Sequence, residues 1–321
     1  MARYEATDEG KHAGPILDAK PPFRVMDCTH CGFAHVIPIP TEKELADVYR
    51  HEFYQRDKPL YMERHEEDRA WWSLVHDERL ASLEEILGPE RRRMVDVGSG
   101  PGLFLADAVR RGWQALGVEP AAEAARYSQK NGLDVIEAGL DEASVEEVLN
   151  RLGPVDAVHM NHVLEHVRDP AEILALARAL LAPGGALCIA VPNDYNPFQL
   201  ALQKARGKEP WWVAPPHHLN YFNHATLEAL VIRCGFTPRM SESSFPIDLF
   251  LLMGDDYVGN DALGRVCHAR RKAFEQLLHD AHAGELKRRL YRTFAELGLG
   301  RDAILFATRD AESLADPRAR T

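Results

Sequence analysis

Val95-Asp96-Val97-Gly98-Ser99-Gly100-Pro101-Gly102-Leu103-Phe104-Leu105 decides how this chain folds. Its first residues read as a short buried strand, the alternate glycines as a turn, and Leu103 onward as the opening of a helix. Glycine permits positive φ and lets a ligand approach without meeting a Cβ. The helix start offers unpaired amide N–H groups and the positive end of a dipole. In an α/β sheet, such a turn at the carboxyl end of the first strand is where a nucleotide-like ligand lies. The dinucleotide fingerprint wants a third glycine where this chain has Leu103, and no Lys-Ser or Lys-Thr follows, which excludes a P-loop. Asp96, before the loop, would repel a pyrophosphate and suits a cationic ligand.

Working outward, Gln114-Ala115-Leu116-Gly117-Val118-Glu119-Pro120 reads as a second strand ending in a carboxylate. Glu119 there suits a ribose, whose two hydroxyls a strand-tip acid accepts. It also suits an ordinary helix N-terminal acid, but its place at the end of an apolar strand favours the ribose. Val155 to Asn161 reads as the fourth strand, followed by Leu164-Glu165-His166 and Asp169-Pro170. Ile173, Leu176, Ala177, Leu180 and Leu181 follow helical spacing, and Pro183-Gly184-Gly185 then turns into a fifth strand through Val191.

These segments, in this order, resemble the class I S-adenosylmethionine-dependent methyltransferases over roughly residues 93–309. The resemblance implies an α/β fold with a doubly wound, seven-stranded Rossmann-like sheet. It divides the chain into a small N-terminal module (1–61) and a methyltransferase domain (62–321), with a helical insertion at about 255–300 between strands six and seven. It implies S-adenosyl-L-methionine as the donor, held by Asp96, Gly98, Ser99, Gly100, Gly102 and Glu119, with Asn161 or His162 against the methionine part. His166 is expected to anchor its own loop. In the insertion, Leu286, Leu290, Phe294 and Leu297 mark the apolar face of a second helix, which would cover the pocket or make a dimer contact.

The 321 residues, 45% hydrophobic and 27% charged, suit a globular chain, and a net charge of −11 argues against a grip on a phosphate backbone. The basic runs Arg91-Arg92-Arg93 and Lys287-Arg288-Arg289 read as solvated faces. The run after strand four also lacks the Asn/Asp-Pro-Pro-aromatic pattern of methyltransferases acting on base amino groups. A small-molecule acceptor is expected, with no nucleic-acid partner; a homo-oligomer stays open. No run is long enough to span a bilayer and Met1 to Lys20 lacks a signal-peptide core, so no membrane partner and a cytoplasmic location are expected. Cys188 and Cys234 read as small buried apolar residues.

Asp27-Cys28-Thr29-His30-Cys31-Gly32-Phe33-Ala34-His35 is a knuckle of the kind that holds zinc, supplying two thiolates of a tetrahedral set. His12, His30 and His35 are the available completions. His30 lies inside the knuckle and points awkwardly, so the expected set is His12, Cys28, Cys31 and His35. A redox Cys-x-x-Cys would want a helix after the motif, whereas Val36-Ile37-Pro38-Ile39-Pro40 reads as extended. A segment this small would draw on the order of 10 kcal/mol of stability from the metal. The plan loosely resembles sugar C-methyltransferases, which use more cysteines. Thr41 to Leu45 reads as a capped helix start, and Tyr49, Phe53, Tyr54 and Tyr61 as rings that line the site or staple the module to the core.

Beyond strand five, Trp211-Trp212-Val213-Ala214-Pro215-Pro216-His217-His218-Leu219-Asn220-Tyr221-Phe222 is aromatic-rich, and such loops carry function in open sheets. The resemblance makes His217 and His218 candidate bases, His218 being preferred by its offset from Phe222, with Tyr221 orienting the acceptor or simply packing. The expected activity is methyl transfer to a small acceptor, O- or N-directed, in glycan or secondary-metabolite biosynthesis. Two alternatives stay open: C-methylation of a nucleotide-linked sugar, and a non-catalytic donor-binding regulator.

Overall fold

The computed structural model describes residues 12–41, 43–45 and 67–310. Its centre is β4 (Arg93–Val97), where alternation sends Val95 and Val97 to one face of the sheet and Met94 to the other. The chain then runs through α2 (Leu103–Arg110), β5 (Gln114–Val118), α3 (Ala122–Lys130) and β6 (Val135–Ile136). It crosses back through α4 (Glu142–Leu152) to β7 (Val155–Asn161), then through α5 (Pro170–Leu180) to β8 (Leu181–Pro192). β7 lies against β4 on the side opposite β5, so the winding direction reverses at β4. A crevice outside the strands' carboxyl ends at that reversal is the usual ligand site of such sheets.

Beyond β8 come α6 (Pro197–Arg206), β9 (Asn220–Tyr221), α7 (His224–Arg233), β10 (Phe236–Ser243) and α8 (Asp248–Leu252). Helices α9 (Asp261–Asp280) and α10 (Gly284–Glu296) then precede β11 (Asp302–Arg309). The seven strands lie in the order β10-β11-β8-β7-β4-β5-β6, with β11 antiparallel to both β8 and β10. This is the expected doubly wound sheet, with its helical insertion between strands six and seven.

β7 is a continuous apolar run because both of its faces are covered. On one face Val148, Leu174 and Leu230 from α4, α5 and α7 pack against it and its neighbours. On the other, Leu80 and Leu83 of α1 (Arg69–Leu87) and Phe104 of α2 do so. Fully burying each large apolar side chain contributes roughly 1.5–3 kcal/mol. The helix starts are read locally. Asp169 accepts from the Ala171 and Glu172 amides ahead of Pro170, and Asn223 and Thr226 exchange side-chain bonds as a capping box.

Three expectations are corrected. Pro183-Gly184-Gly185 is not a separate turn but lies within β8, where the register against β7 slips between Leu181 and Ala186. The buried face of α10 is Lys287, Tyr291 and Ala295, and Leu286 and Leu297 are exposed. The face is rotated because Lys287 is not a solvated charge: it is 1% exposed and pairs with Glu78 of α1 at 2.8 Å.

The N-terminal strands β1 (Ile16–Lys20), β2 (Phe23–Cys28) and β3 (Phe33–Ile37) form an antiparallel sheet completed by β9. Its core is Phe23, Val25, Ala34 and Val36 together with Trp212, Leu219 and Tyr221. The aromatic loop before β9 therefore packs into the N-terminal module. Thr41 caps Glu44 as expected, its amide donating to the Glu44 carboxylate at 2.7 Å. Tyr49, Phe53, Tyr54 and Tyr61 lie outside the described residues. No helix among the described residues is long and apolar enough to cross a membrane.

Candidate active site

Gly98, Gly100 and Gly102 have φ of 68°, 53° and 78°, all in the left-handed region. A Cβ on Gly98 would lie 2.7 Å from Val163, and one on Gly102 2.8 Å from the Ser128 hydroxyl. The turn is bare because both its backbone shape and its space demand glycine. Glu119 holds the turn: one carboxylate oxygen accepts from the Gly100 amide at 2.7 Å and the other from the Ala121 amide at 2.8 Å. Burial pushes its carboxyl up, against the pull of those two amides. Each oxygen keeps a further acceptor lone pair. The Ser99 hydroxyl is buried and has no hydrogen-bond partner among the described residues.

Asp96 does not face the loop as a bare counter-charge. Its carboxylate lies 2.7 Å from Nδ1 of His159, whose Nε2 is 3.2 Å from an Arg79 guanidinium nitrogen. Because that guanidinium only donates, Nε2 accepts and the proton sits on Nδ1, donating to Asp96. Arg79 also donates to the side-chain oxygen of Asn161 at 2.8 Å. The alternation of β4 explains the correction: Asp96 shares its face with Met94, under α1 and α2. Burial pushes its carboxyl up to about 7, and Phe104 stacks on His159 at 3.7 Å.

At the carboxyl end of β7, His162 has φ 56° and its Nδ1 lies 2.8 Å from a Glu165 oxygen. Its Nε2 is 3.7 Å from Asp302 at the start of β11. His166 donates from Nδ1 to the His217 carbonyl at 2.7 Å, so it does anchor a loop, though one distant in sequence. The structure brings His218 to the same place, its ring 5.1 Å from that of His166. Burial pushes the His218 imidazole down to about 3, which makes it a weak base. Tyr221 packs, one of the two roles open to it. It is 2% exposed, and its hydroxyl donates to the His218 carbonyl while accepting from the Ala214 amide.

Two acids in this region were not singled out from the sequence for a role at the site. Glu165 is 1% exposed and reaches both His162 and His166. Asp194, two residues beyond β8, is 2% exposed with neither oxygen hydrogen-bonded among the described residues, and burial pushes it up to about 8. The signal for each was an acid in the loop that follows a core strand, four residues beyond β7 for Glu165 and two beyond β8 for Asp194. A cavity of about 180 Å³ adjoins this end of the sheet, lined by Asn161, His162 and Asp302, by Arg79 of α1, and by Arg271 and Tyr291 of the insertion. Arg271 and Tyr291 thus bring the insertion against this cavity.

In the module, His12, Cys28, Cys31 and His35 each bring a ligand atom to within 4.8 Å of the others. His12 Nδ1 lies 3.6 Å from Cys28 Sγ and 3.4 Å from Cys31 Sγ. His35 donates from Nδ1 to the Val36 carbonyl at 2.9 Å, which leaves its buried Nε2 with no partner among the described residues. Burial and the neighbouring thiol push Cys31 up to about 12, so this sulfur needs a cation beside it to lose its proton.

A model of the methyltransferase domain matches residues 64–239. The chain belongs to that family. Curated relatives include a ubiquinone biosynthesis O-methyltransferase of Caulobacter sp. (strain K31), 35% identical over 135 residues, which cover 40% of this chain and 52% of that protein. Another of the same name, from Alkalilimnicola ehrlichii, is 33% identical over 135 residues, covering 38% and 55%. The chain spans about half the length of the curated relatives it matches. Solved structures similar to it include the 1,6-didemethyltoxoflavin-N1-methyltransferase of Burkholderia thailandensis, with TM-score 0.48 and 16% identity over 93% of this chain and 100% of that one. A SAM-dependent methyltransferase of Archaeoglobus fulgidus gives TM-score 0.45 and 18% identity over 78% and 99%.

Proposed function

We propose that this chain transfers a methyl group from S-adenosyl-L-methionine to a small-molecule acceptor, at oxygen or nitrogen. The observation that carries the reading is the cradle at the switch point: three left-handed glycines, the unpartnered Ser99 hydroxyl and the Glu119 carboxylate around one turn. When bound, the donor supplies an electrophilic methyl on a sulfonium. Gly98, Ser99, Gly100 and Gly102 would hold it through backbone and hydroxyl groups, Glu119 through the ribose, and Asn161 and His162 at the methionine end. Asp96 acts through His159 and Arg79, which together fix the side chain of Asn161, so it is a positioning residue. The cavity beside His162 would seat the acceptor and exclude water, the larger part of what such a displacement needs. The matched relatives are named O-methyltransferases, which favours oxygen as the target. Calorimetry with S-adenosylmethionine and with NAD tests this: the first should bind and the second should not. Binding of NAD alone would overturn the reading.

We infer further that His12, Cys28, Cys31 and His35 hold a zinc ion. Two sulfurs and two imidazole nitrogens suit zinc, and the His35 Nδ1–carbonyl bond is the outer partner that aims a ligating Nε2. Metal analysis of the purified protein against Cys28→Ser tests the assignment, and absence of zinc from both would remove it.

A further inference from the structure

We propose a second metal site, in which Glu165, His166 and His218 hold a divalent cation at the carboxyl end of β7, beside the acceptor cavity. One ligand atom from each lies within 4.8 Å of the others. Two of those residues carry orphaned, buried polar atoms: Oε2 of Glu165 and Nδ1 of His218 have no hydrogen-bond partner among the described residues. The other Glu165 oxygen is already engaged by His162 at 2.8 Å, so the orphan is the one left for a ligand.

The third residue, His166, is aimed by its own hydrogen bond. His166 Nδ1 donates to the His217 carbonyl, so in the neutral ring Nε2 bears a lone pair. That nitrogen lies 3.7 Å from Oε1 of Glu165. The Nδ1–carbonyl bond is the usual outer support of a ligating imidazole.

One carboxylate and two imidazoles suit a first-row divalent ion such as manganese, iron or zinc, and leave coordination positions open. Resting on the methyltransferase reading, this assigns the acceptor class: a hydroxyl with a second oxygen beside it, able to chelate. A cation there withdraws charge from the hydroxyl, which releases its proton to water. The oxygen then attacks the sulfonium methyl carbon, the C–O bond forming as the C–S bond breaks and the sulfur leaving as a neutral thioether.

The test is titration of the full chain, its thiolate site loaded with zinc, with Mn²⁺ followed by electron paramagnetic resonance. The wild type should bind one Mn²⁺. Glu165→Gln and His218→Asn should each weaken that binding at least about tenfold, as lost metal contacts do, while calorimetric binding of S-adenosylhomocysteine to His218→Asn stays unchanged. No Mn²⁺ binding by the wild type, or equal binding by both variants, overturns the site. The wild-type stoichiometry decides even where a variant fails to fold. Loss of S-adenosylhomocysteine binding by the wild type with Mn²⁺ retained would count against the donor reading and not against the metal.

Discussion

His35 lies directly opposite Asn220 in the antiparallel pairing of β3 with β9. The strand leaving the cysteine knuckle is thereby bonded to the strand that follows His217 and His218. Val36 donates to the Leu219 carbonyl at 2.8 Å, and Leu219 in turn donates to the backbone carbonyl of Glu165 at 2.7 Å. Backbone bonds therefore run from the knuckle to the tip of β7. Cys28→Ser should remove zinc and loosen this loop while leaving the glycine turn intact. The expected result is a lower melting temperature and a kcat reduced by roughly tenfold or more, with little change in the Kd for S-adenosylhomocysteine. Metal analysis, kinetics and calorimetry check it together.

Gly102→Ala should weaken donor binding. A left-handed L-residue costs about 1–2 kcal/mol, and the new Cβ would press on the Ser128 hydroxyl. The Kd for S-adenosylhomocysteine should rise roughly tenfold or more, with the circular dichroism spectrum retained.

Glu119→Gln keeps the shape of the side chain but removes its charge. Hydrogen bonds to charged groups contribute about 1.5–3 kcal/mol, so donor affinity should fall roughly 10- to 100-fold by calorimetry. An unchanged affinity would return Glu119 to a purely structural role in holding the turn.

Asp107 of α2 is fully buried and accepts from both terminal nitrogens of Arg69 at 2.9 Å and from His76 at 2.7 Å. Burial alone would raise its carboxyl, but the His76 and Arg69 bonds win and hold it well below the usual carboxylate range. A depressed folded-state pKa stabilises the fold above the unfolded value of about 3.9 and loses that contribution as pH falls toward the folded value. Asp107→Asn should lower stability by about 3–5 kcal/mol near neutral pH. It should also flatten the fall in melting temperature between about pH 5 and 2, measured by calorimetry across that range.

Lys287 and Glu78 join the insertion to α1 across a buried contact. Lys287→Met leaves Glu78 without its cation, and losing one partner of a buried pair costs about 3–5 kcal/mol. The double change Lys287→Met with Glu78→Leu should recover most of that loss in chemical denaturation, because no charge is then stranded.

The sheet was legible in the sequence because its signals are local. The apolar run of β7, the Asp169-Pro170 helix start and the alternate glycines each state a conformation within a few residues, and their order states the winding. The four metal-ligating candidates of the module were legible too, since the knuckle spacing and the extended run after it leave few completions. Tertiary structure alone decided that Asp96 turns under α1 to meet His159, that Lys287 is buried, and that Glu165 and His166 meet His218 from a loop far along the chain. Those outcomes depend on which strand pairs with which and which face each helix presents. Such long-range packing is set by the burial of the whole core, and no short stretch of residues carries it.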